Sequence, residues 1–151
     1  MFYGEYSHSL DKKGRVIVPA KFREVLKEHY TEKFFLTRGL DGCLFVFTEE
    51  AWKSQERKFR EMPFTRPEAR KFNRLYFSGA CESICDKQGR ILIPDYLKSY
   101  AQIQTDVIMI GVSDRIEIWA RERWAEFFNE HQGSFEDLAE KLVNEERDKN
   151  K

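Results

Sequence analysis

The stretch LDKKGRVIVPA, Leu10 to Ala20, returns as CDKQGRILIPD, Cys85 to Asp95. Asp, Lys, Gly, Arg and Pro recur at one spacing, 75 positions on, and the triplets Val16-Ile17-Val18 and Ile91-Leu92-Ile93 exchange only aliphatic residues. A core strand accounts for the triplets. It does not account for an Asp and an Arg kept four apart around a Lys and a Gly, in both copies.

Working outward, the repeat grows to most of the chain. Pro19 and Pro94 are each followed by a short helical pattern, a strand pair and a Trp-bearing helix. RGLDGCLFVFTEEAW (38–52) is answered by IGVSDRIEIWARERW (110–124), which aligns Gly39 with Gly111 and Trp52 with Trp124. The offset falls from 75 to 72 because the first copy carries three extra residues between its Pro and its Gly. Two copies make a tandem duplication rather than a solenoid, which needs three or more units.

The first half shows what each copy builds. Phe2, Gly4, Tyr6, His8 and Leu10 alternate as one side of a strand, and Val16 to Val18 reads as a second, fully buried strand. Pro19 suits the first turn of a helix whose apolar stripe is Phe22, Val25 and Leu26. Phe34 to Thr37 and Cys43 to Phe47 read as a hairpin about Leu40-Asp41-Gly42, and a helix from Glu49 to Arg60 closes the half. Thr65-x-x-Glu68 reads as a capping box that opens a connecting helix, with Pro67 in its first turn. Ala69, Phe72, Leu75 and Tyr76 face inward on it, Arg66, Arg70, Lys71 and Arg74 outward. Ser134-x-x-Asp137 caps a final helix whose stripe, Phe135, Leu138, Ala139, Leu142 and Val143, packs on its own domain or on another subunit.

One half is too short to bury a stable core alone. The halves are therefore expected to interdigitate into one pseudo-two-fold unit of mixed sheet and helices, an α+β fold. The expected division is a first half over 1–62, a connecting helix over 63–77, a second half over 78–131, and a C-terminal helix with a charged tail over 132–151.

Composition narrows the function. With 41% hydrophobic residues the chain can bury a core, and with 34% charged and no long apolar run it does not read as a membrane protein. MFYGEYSHSL lacks the regions of a signal peptide, so a soluble, cytoplasmic protein is expected. Three cysteines, an odd number, fit reduced thiols. The net charge of zero counts against a generic polyanion binder. A nucleic-acid role must then rest on local charge and on copy number. Lys12, Lys13, Arg15, Lys21 and Arg23 crowd the first loop.

The repeated loop divides into a structural part and an unexplained part. As a turn joining two strands, Asp11-Lys12-Lys13-Gly14 uses Asp to accept a backbone bond two residues on and Gly for the positive φ of a bulged hairpin. Asp11, Gly14, Asp86 and Gly89 are thereby explained. Lys12, Lys13 and Arg15 are not, since turn geometry is indifferent to them. Asp11 can brace Arg15 by a charge-assisted bond, and a braced Arg is the commonest bidentate partner of guanine, with lysines beside it for phosphate. An ordinary surface ion pair of little energetic weight has the same spacing; the second copy favours the first reading.

Other constellations carry less. Cys81 and Cys85 lie about 13 Å apart along a strand, too far to share one zinc. His8, His29 and His131 lack ligand spacing, and Trp52 and Trp124 have apolar, core-like neighbours. No G-x-S-x-G, H-E-x-x-H, P-loop or G-x-G-x-x-G motif occurs. No metal, cofactor or enzymatic activity is expected.

GEYSHSLDKKGRVIVPAKFRE, TRGLDGCLFVF, YFSGACE, DKQGRILIP and DRIEIW together resemble the MraZ family of bacterial proteins. The likeness runs to about Asn144. The resemblance implies two AbrB-like, swapped-hairpin halves. It implies a transcriptional regulator, typically a repressor, of the division and cell-wall gene cluster, acting in the cytoplasm on the nucleoid. The partners it implies are double-stranded DNA, as short direct repeats in the promoter, and further copies of the chain in a ring. On the same ground the DNA contacts fall to Arg15 with Lys12 and Lys13, and to Arg90 with Lys87, the second loop carrying Gln88 where the first has Lys13. A second reading from the same fold is an assembly module that grips a protein partner, as AbrB-like antitoxins do.

Overall fold

The computed structural model describes residues 1–28 and 33–150; His29 lies outside them. The chain forms two compact units, Met1–Arg121 and Glu122–Lys151. The first holds β1 (Glu5–Ser9), β2 (Arg15–Ile17), α1 (Ala20–Glu28), β3 (Lys33–Arg38), β4 (Leu44–Thr48), α2 (Glu49–Arg60), α3 (Pro67–Ser78), β5 (Cys81–Ile84), β6 (Arg90–Leu92), α4 (Asp95–Tyr100), β7 (Asp106–Val112) and β8 (Arg115–Ala120). The second is helical, with α5 (Arg121–His131) starting at the boundary and α6 (Phe135–Lys149) ending it. Among the described residues no helix is long and apolar enough to cross a membrane.

Strand exchange between the two copies organises the first unit. Six strands form an antiparallel sheet in the order β1-β7-β8-β4-β3-β5. Strand β1 of the first copy thus pairs with β7 of the second, and β5 of the second with β3 of the first. At the centre Leu44 opposite Ile118 and Val46 opposite Ile116 flank the pair Phe45–Glu117, so the two hairpins meet about a pseudo-two-fold axis. Strands β2 and β6 leave this sheet and pair with each other as a separate two-stranded ribbon. The fold is α+β and built from two intertwined repeats, as the sequence implies.

The flanking strands correct one local expectation. The loop after β1 is closed by Asp11 N–H to the Arg15 carbonyl at 2.9 Å and Gly14 N–H to the Asp11 carbonyl at 3.0 Å. Beyond those bonds β1 and β2 part to different partners, so they are not a hairpin. Nor is Val16 to Val18 buried throughout. Val16 and Val18 are, but Ile17 is 44% exposed, and Leu92 in the second copy is 50% exposed. A strand in a ribbon with one covered face buries only alternate residues.

One core serves both halves. Val16, Val18, Phe22, Leu36 and Val46 pack with Ile91, Ile93, Leu97, Met109 and Ile118, all essentially inaccessible. Phe22 of α1 meets Phe2 and Tyr6 edge-on at centroid distances of 5.4 and 5.2 Å. A second, aromatic cluster lies where α2 and α3 cover the first copy's hairpin. Trp52 is buried there between Phe35 and Tyr76, each stacked on it at 5.6 Å. By the 72-residue offset Phe45 of that hairpin corresponds to Glu117 of β8, which pairs with Arg115 at 2.9 Å and accepts from Trp119 Nε1–H at 3.0 Å.

Several terminal signals act differently from expectation. Pro19 and Pro94 stand just before α1 and α4, their carbonyls accepting the first helical bonds, and Pro94 is extended with ψ 151°. Thr65 does not cap α3; Arg66 takes that position without a side-chain bond. Ser134 makes no side-chain cap on α6 either. Leu75 is 61% exposed rather than inward. In the second unit Trp124 is only half-buried, stacked on Phe127 at 5.6 Å. The α6 stripe is exposed, Phe135 at 75%, so it does not pack on its own unit.

The Gly39–Gly111 alignment also fails in register. Gly39 follows β3, whereas Gly111 lies inside β7 opposite Ile116. Gly111 has its own reason to be glycine. The N-terminal segment crosses over it, with Gly111 N–H bonded to the Gly4 carbonyl at 2.9 Å. A Cβ there would stand 2.3 Å from the Tyr3 nitrogen. Gly111→Ala is expected to lower unfolding free energy by about 3 kcal/mol, through backbone displacement. Urea melts check this, and a loss below about 0.5 kcal/mol, the range of neutral surface changes, would contradict the crossing.

Candidate nucleic-acid interface

The ribbon brings the two repeated loops into one site. Antiparallel pairing sets Arg15 opposite Leu92 and Ile17 opposite Arg90. Residues directly opposite share a face of the sheet. Arg15, Ile17, Arg90 and Leu92 therefore face outward together, above Val16 and Ile91, which are 1% exposed. The loops themselves sit at opposite ends of the ribbon, since each precedes its own strand. Lys12 and Lys13 at one tip and Lys87 and Gln88 at the other are exposed.

Each aspartate organises its loop through three bonds. Asp11 Oδ1 accepts the N–H groups of Lys13 and Arg15 at 3.0 and 2.9 Å, and Oδ2 accepts Arg15 Nε–H at 2.7 Å. Asp86 repeats this with Gln88 and Arg90 at 2.9 Å and Arg90 Nε–H at 2.8 Å. Glycines 14 and 89 take left-handed φ values of 82° and 78°, which only glycine adopts without strain. The two guanidiniums are fixed at Nε, leaving other N–H donors of the fork for a ligand. Their side chains are 32% and 24% exposed.

The halves also meet across the site. Arg90 Nη1 lies 3.6 Å from Asp11 Oδ2, so one carboxylate holds both arginines. Two cations arrive from the helices after the prolines. Arg23 of α1 comes within 2.6 Å of where a Cβ at Gly89 would stand, and Lys98 of α4 within 3.9 Å of the same point at Gly14. Arg23 thus attends the second loop and not the first, where its place in the sequence puts it. The 75-residue offset that matches Arg23 to Lys98 was the available signal; the exchange of strands was needed to say which loop each serves.

Apart from Cys85, which directly precedes Asp86, the other candidates belong to other parts of the fold. Arg70 donates to the Phe64 and Thr65 carbonyls at 3.1 Å, and Arg66 pairs with Glu68 at 3.9 Å, so part of the outer face of α3 secures its own N-terminus. Cys43 is buried and Cys81 and Cys85 half-buried, all free thiols pushed up in pKa by burial. His8 is pushed down by burial. His131 lies 3.9 Å from Glu130 in the second unit. Among the described residues no three His, Cys, Asp or Glu side chains gather to hold a metal.

Asp11 and Asp86 both titrate below the ordinary aspartate value of 3.8. The first cause is the backbone N–H of the arginine four residues on; partial desolvation opposes it, and the arginine side chain and the second backbone N–H add to it. A depressed folded pKa stabilises the protein above the unfolded value, and that contribution is lost as pH falls from 3.8 through the folded value. Carboxyl-carbon NMR is expected to place both midpoints below 3.8. Replacing both by Asn should flatten the loss of stability in that acid range. Midpoints at or above the ordinary value would contradict the bracing geometry.

Comparison with known proteins agrees with this duplicated construction. The family model described as "MraZ protein, putative antitoxin-like" matches twice, over residues 1–75 and 76–146. The chain is 50% identical over 143 residues to the transcriptional regulator MraZ of Carboxydothermus hydrogenoformans, covering 95% of this chain and 97% of that one. It is 51% identical over 143 residues to the transcriptional regulator MraZ of Moorella thermoacetica, with the same coverage. For that of Desulfitobacterium hafniense the identity is 51% over 144 residues, covering 95% and 98%. With both repeats matched and half of all aligned positions identical, the chain belongs to the MraZ family.

Proposed function

We propose that this chain is a transcriptional regulator that binds double-stranded DNA by sequence, through the outward face of the β2–β6 ribbon. The observation that carries this reading is Asp11, which holds Arg15 at 2.7 Å and Arg90 at 3.6 Å on a face of the right size. A two-stranded ribbon fits the major groove, where Arg reads guanine edges. Its relatives are named transcriptional regulators, and like them it is not an enzyme.

Within this reading Arg15 and Arg90 address base edges, while Lys12, Lys13 and Lys87 hold phosphates and set the register. The halves over 1–62 and 78–131 contribute one loop each. The first loop carries more weight, since Gln88 replaces a lysine in the second. The chain acts as a ring of identical subunits on short direct repeats in the promoter of the division and cell-wall gene cluster, chiefly as a repressor. Many copies of one modest contact act together through effective concentration, which reconciles DNA binding with a net charge of zero.

Arg15→Ala is the decisive substitution. A lost bidentate pair costs about 1–3 kcal/mol, a loss of about 5- to 150-fold for each loop engaged. Band-shifts on the duplex immediately upstream of the chain's own gene should lose the complex, with circular dichroism and gel filtration unchanged. Undiminished binding would remove Arg15 from the mechanism. Affinity should also fall linearly on logarithmic axes with salt. The antitoxin-like description of the family favours one competing reading, a module gripping a protein partner; a nuclease-resistant partner with no DNA footprint would support it.

A further inference from the structure

The outward face of the ribbon carries more than its arginines. Its four residues form a small lattice, Arg15 opposite Leu92 and Ile17 opposite Arg90. The arginines occupy one diagonal and two aliphatic side chains the other. Ile17 is 44% and Leu92 50% exposed, while their neighbours Val16, Val18, Ile91 and Ile93 are at most 1% exposed. An outward strand position beside charged groups is ordinarily polar, yet both copies of the repeat place an aliphatic residue here.

The Leu92 backbone is anchored to β5. Its N–H donates to Ser83 Oγ at 3.2 Å, and its Cδ1 lies 3.8 Å from where a Cβ at Gly14 would stand. The leucine therefore lies beside the first copy's loop, at ordinary van der Waals distance from it. An apolar pair set between two braced arginines matches a surface that is polar except at discrete apolar points. The major groove is such a surface: its edges present donors and acceptors, and its one apolar feature is the thymine C5-methyl.

We propose that Ile17 and Leu92 read thymine methyl groups in the major groove, next to the base edges that Arg15 and Arg90 engage. The inference rests on the DNA-binding reading above and adds a second, apolar element of specificity to it. The sites it selects contain thymine within one or two base pairs of each guanine contacted.

The test uses the full-length wild-type protein and two versions of the duplex upstream of its own gene. One version is natural; the other carries deoxyuridine for every thymidine in the protected segment, which removes methyl groups and leaves every hydrogen-bonding group. Affinity is expected to fall about three- to fivefold per methyl lost, the transfer value of one such group. An Ile17→Ala, Leu92→Ala variant should bind both versions alike, at the weaker level. Equal wild-type affinity for the two duplexes overturns the proposal while leaving the arginine reading intact. Failure of wild type to bind either duplex overturns both. A double variant that loses assembly, with wild type indifferent to the methyls, overturns it in favour of a subunit contact.

Discussion

Three residue pairs between β2 and β6 set the geometry of the proposed DNA-binding face. Each strand comes from a different copy of the repeat, and each follows directly on a braced loop. Pairing them antiparallel is what turns two distant sequence motifs into one face. It also buries Val16 against Ile91 beneath that face, with Val18 and Ile93 beside them. The proposed recognition surface is thus the reverse side of the core. A change that loosens the core beneath it would disorder the arginines above without touching them.

The duplication is symmetric in its backbone and asymmetric in its chemistry. Loop closure and aspartate bonding agree between the copies to within about a tenth of an ångström, and the loop glycines take φ values of 82° and 78°. The differences lie in what surrounds them. Asp11 reaches Arg90 as well as Arg15, and one loop carries a lysine where the other carries Gln88. The aromatic cluster about Trp52 covers the first copy's hairpin, whereas the second has Glu117, paired with Arg115, where the first has Phe45. A near-symmetric frame with unequal loops suits the proposed direct repeats, which are not palindromic.

Much of this was legible in the sequence, because a tandem repeat reports its own important positions. Spacing alone exposed the loops, their glycines, the hairpin about Leu40-Asp41-Gly42, where Asp41 and Gly42 have positive φ, and the helix after Thr48. Strand partnership was not legible from the residues. Alternation gives the face of a strand and says nothing about which chain segment lies beside it, so the loop read as a hairpin. Ile17 and Leu92 were missed for a related reason: within an aliphatic triplet, nothing in the letters marks the middle residue as outward. Arg23 was assigned to the nearer loop in sequence, while the crossover carries it to the other. The cap signals at Thr65 and Ser134 are short motifs: Arg66 takes the cap position of α3, and Ser134 stands at that of α6 without a side-chain bond.

One subunit is proposed to present both arginines to DNA from a single ribbon. The most direct test is the structure of the assembled protein bound to the duplex upstream of its own gene. The account predicts the β2–β6 ribbon in the major groove, with Arg15 and Arg90 of one subunit within hydrogen-bonding distance of base edges. A complex in which that ribbon faces solvent or a neighbouring subunit, with DNA lying on the outer face of α3 or on the C-terminal helices, would contradict it.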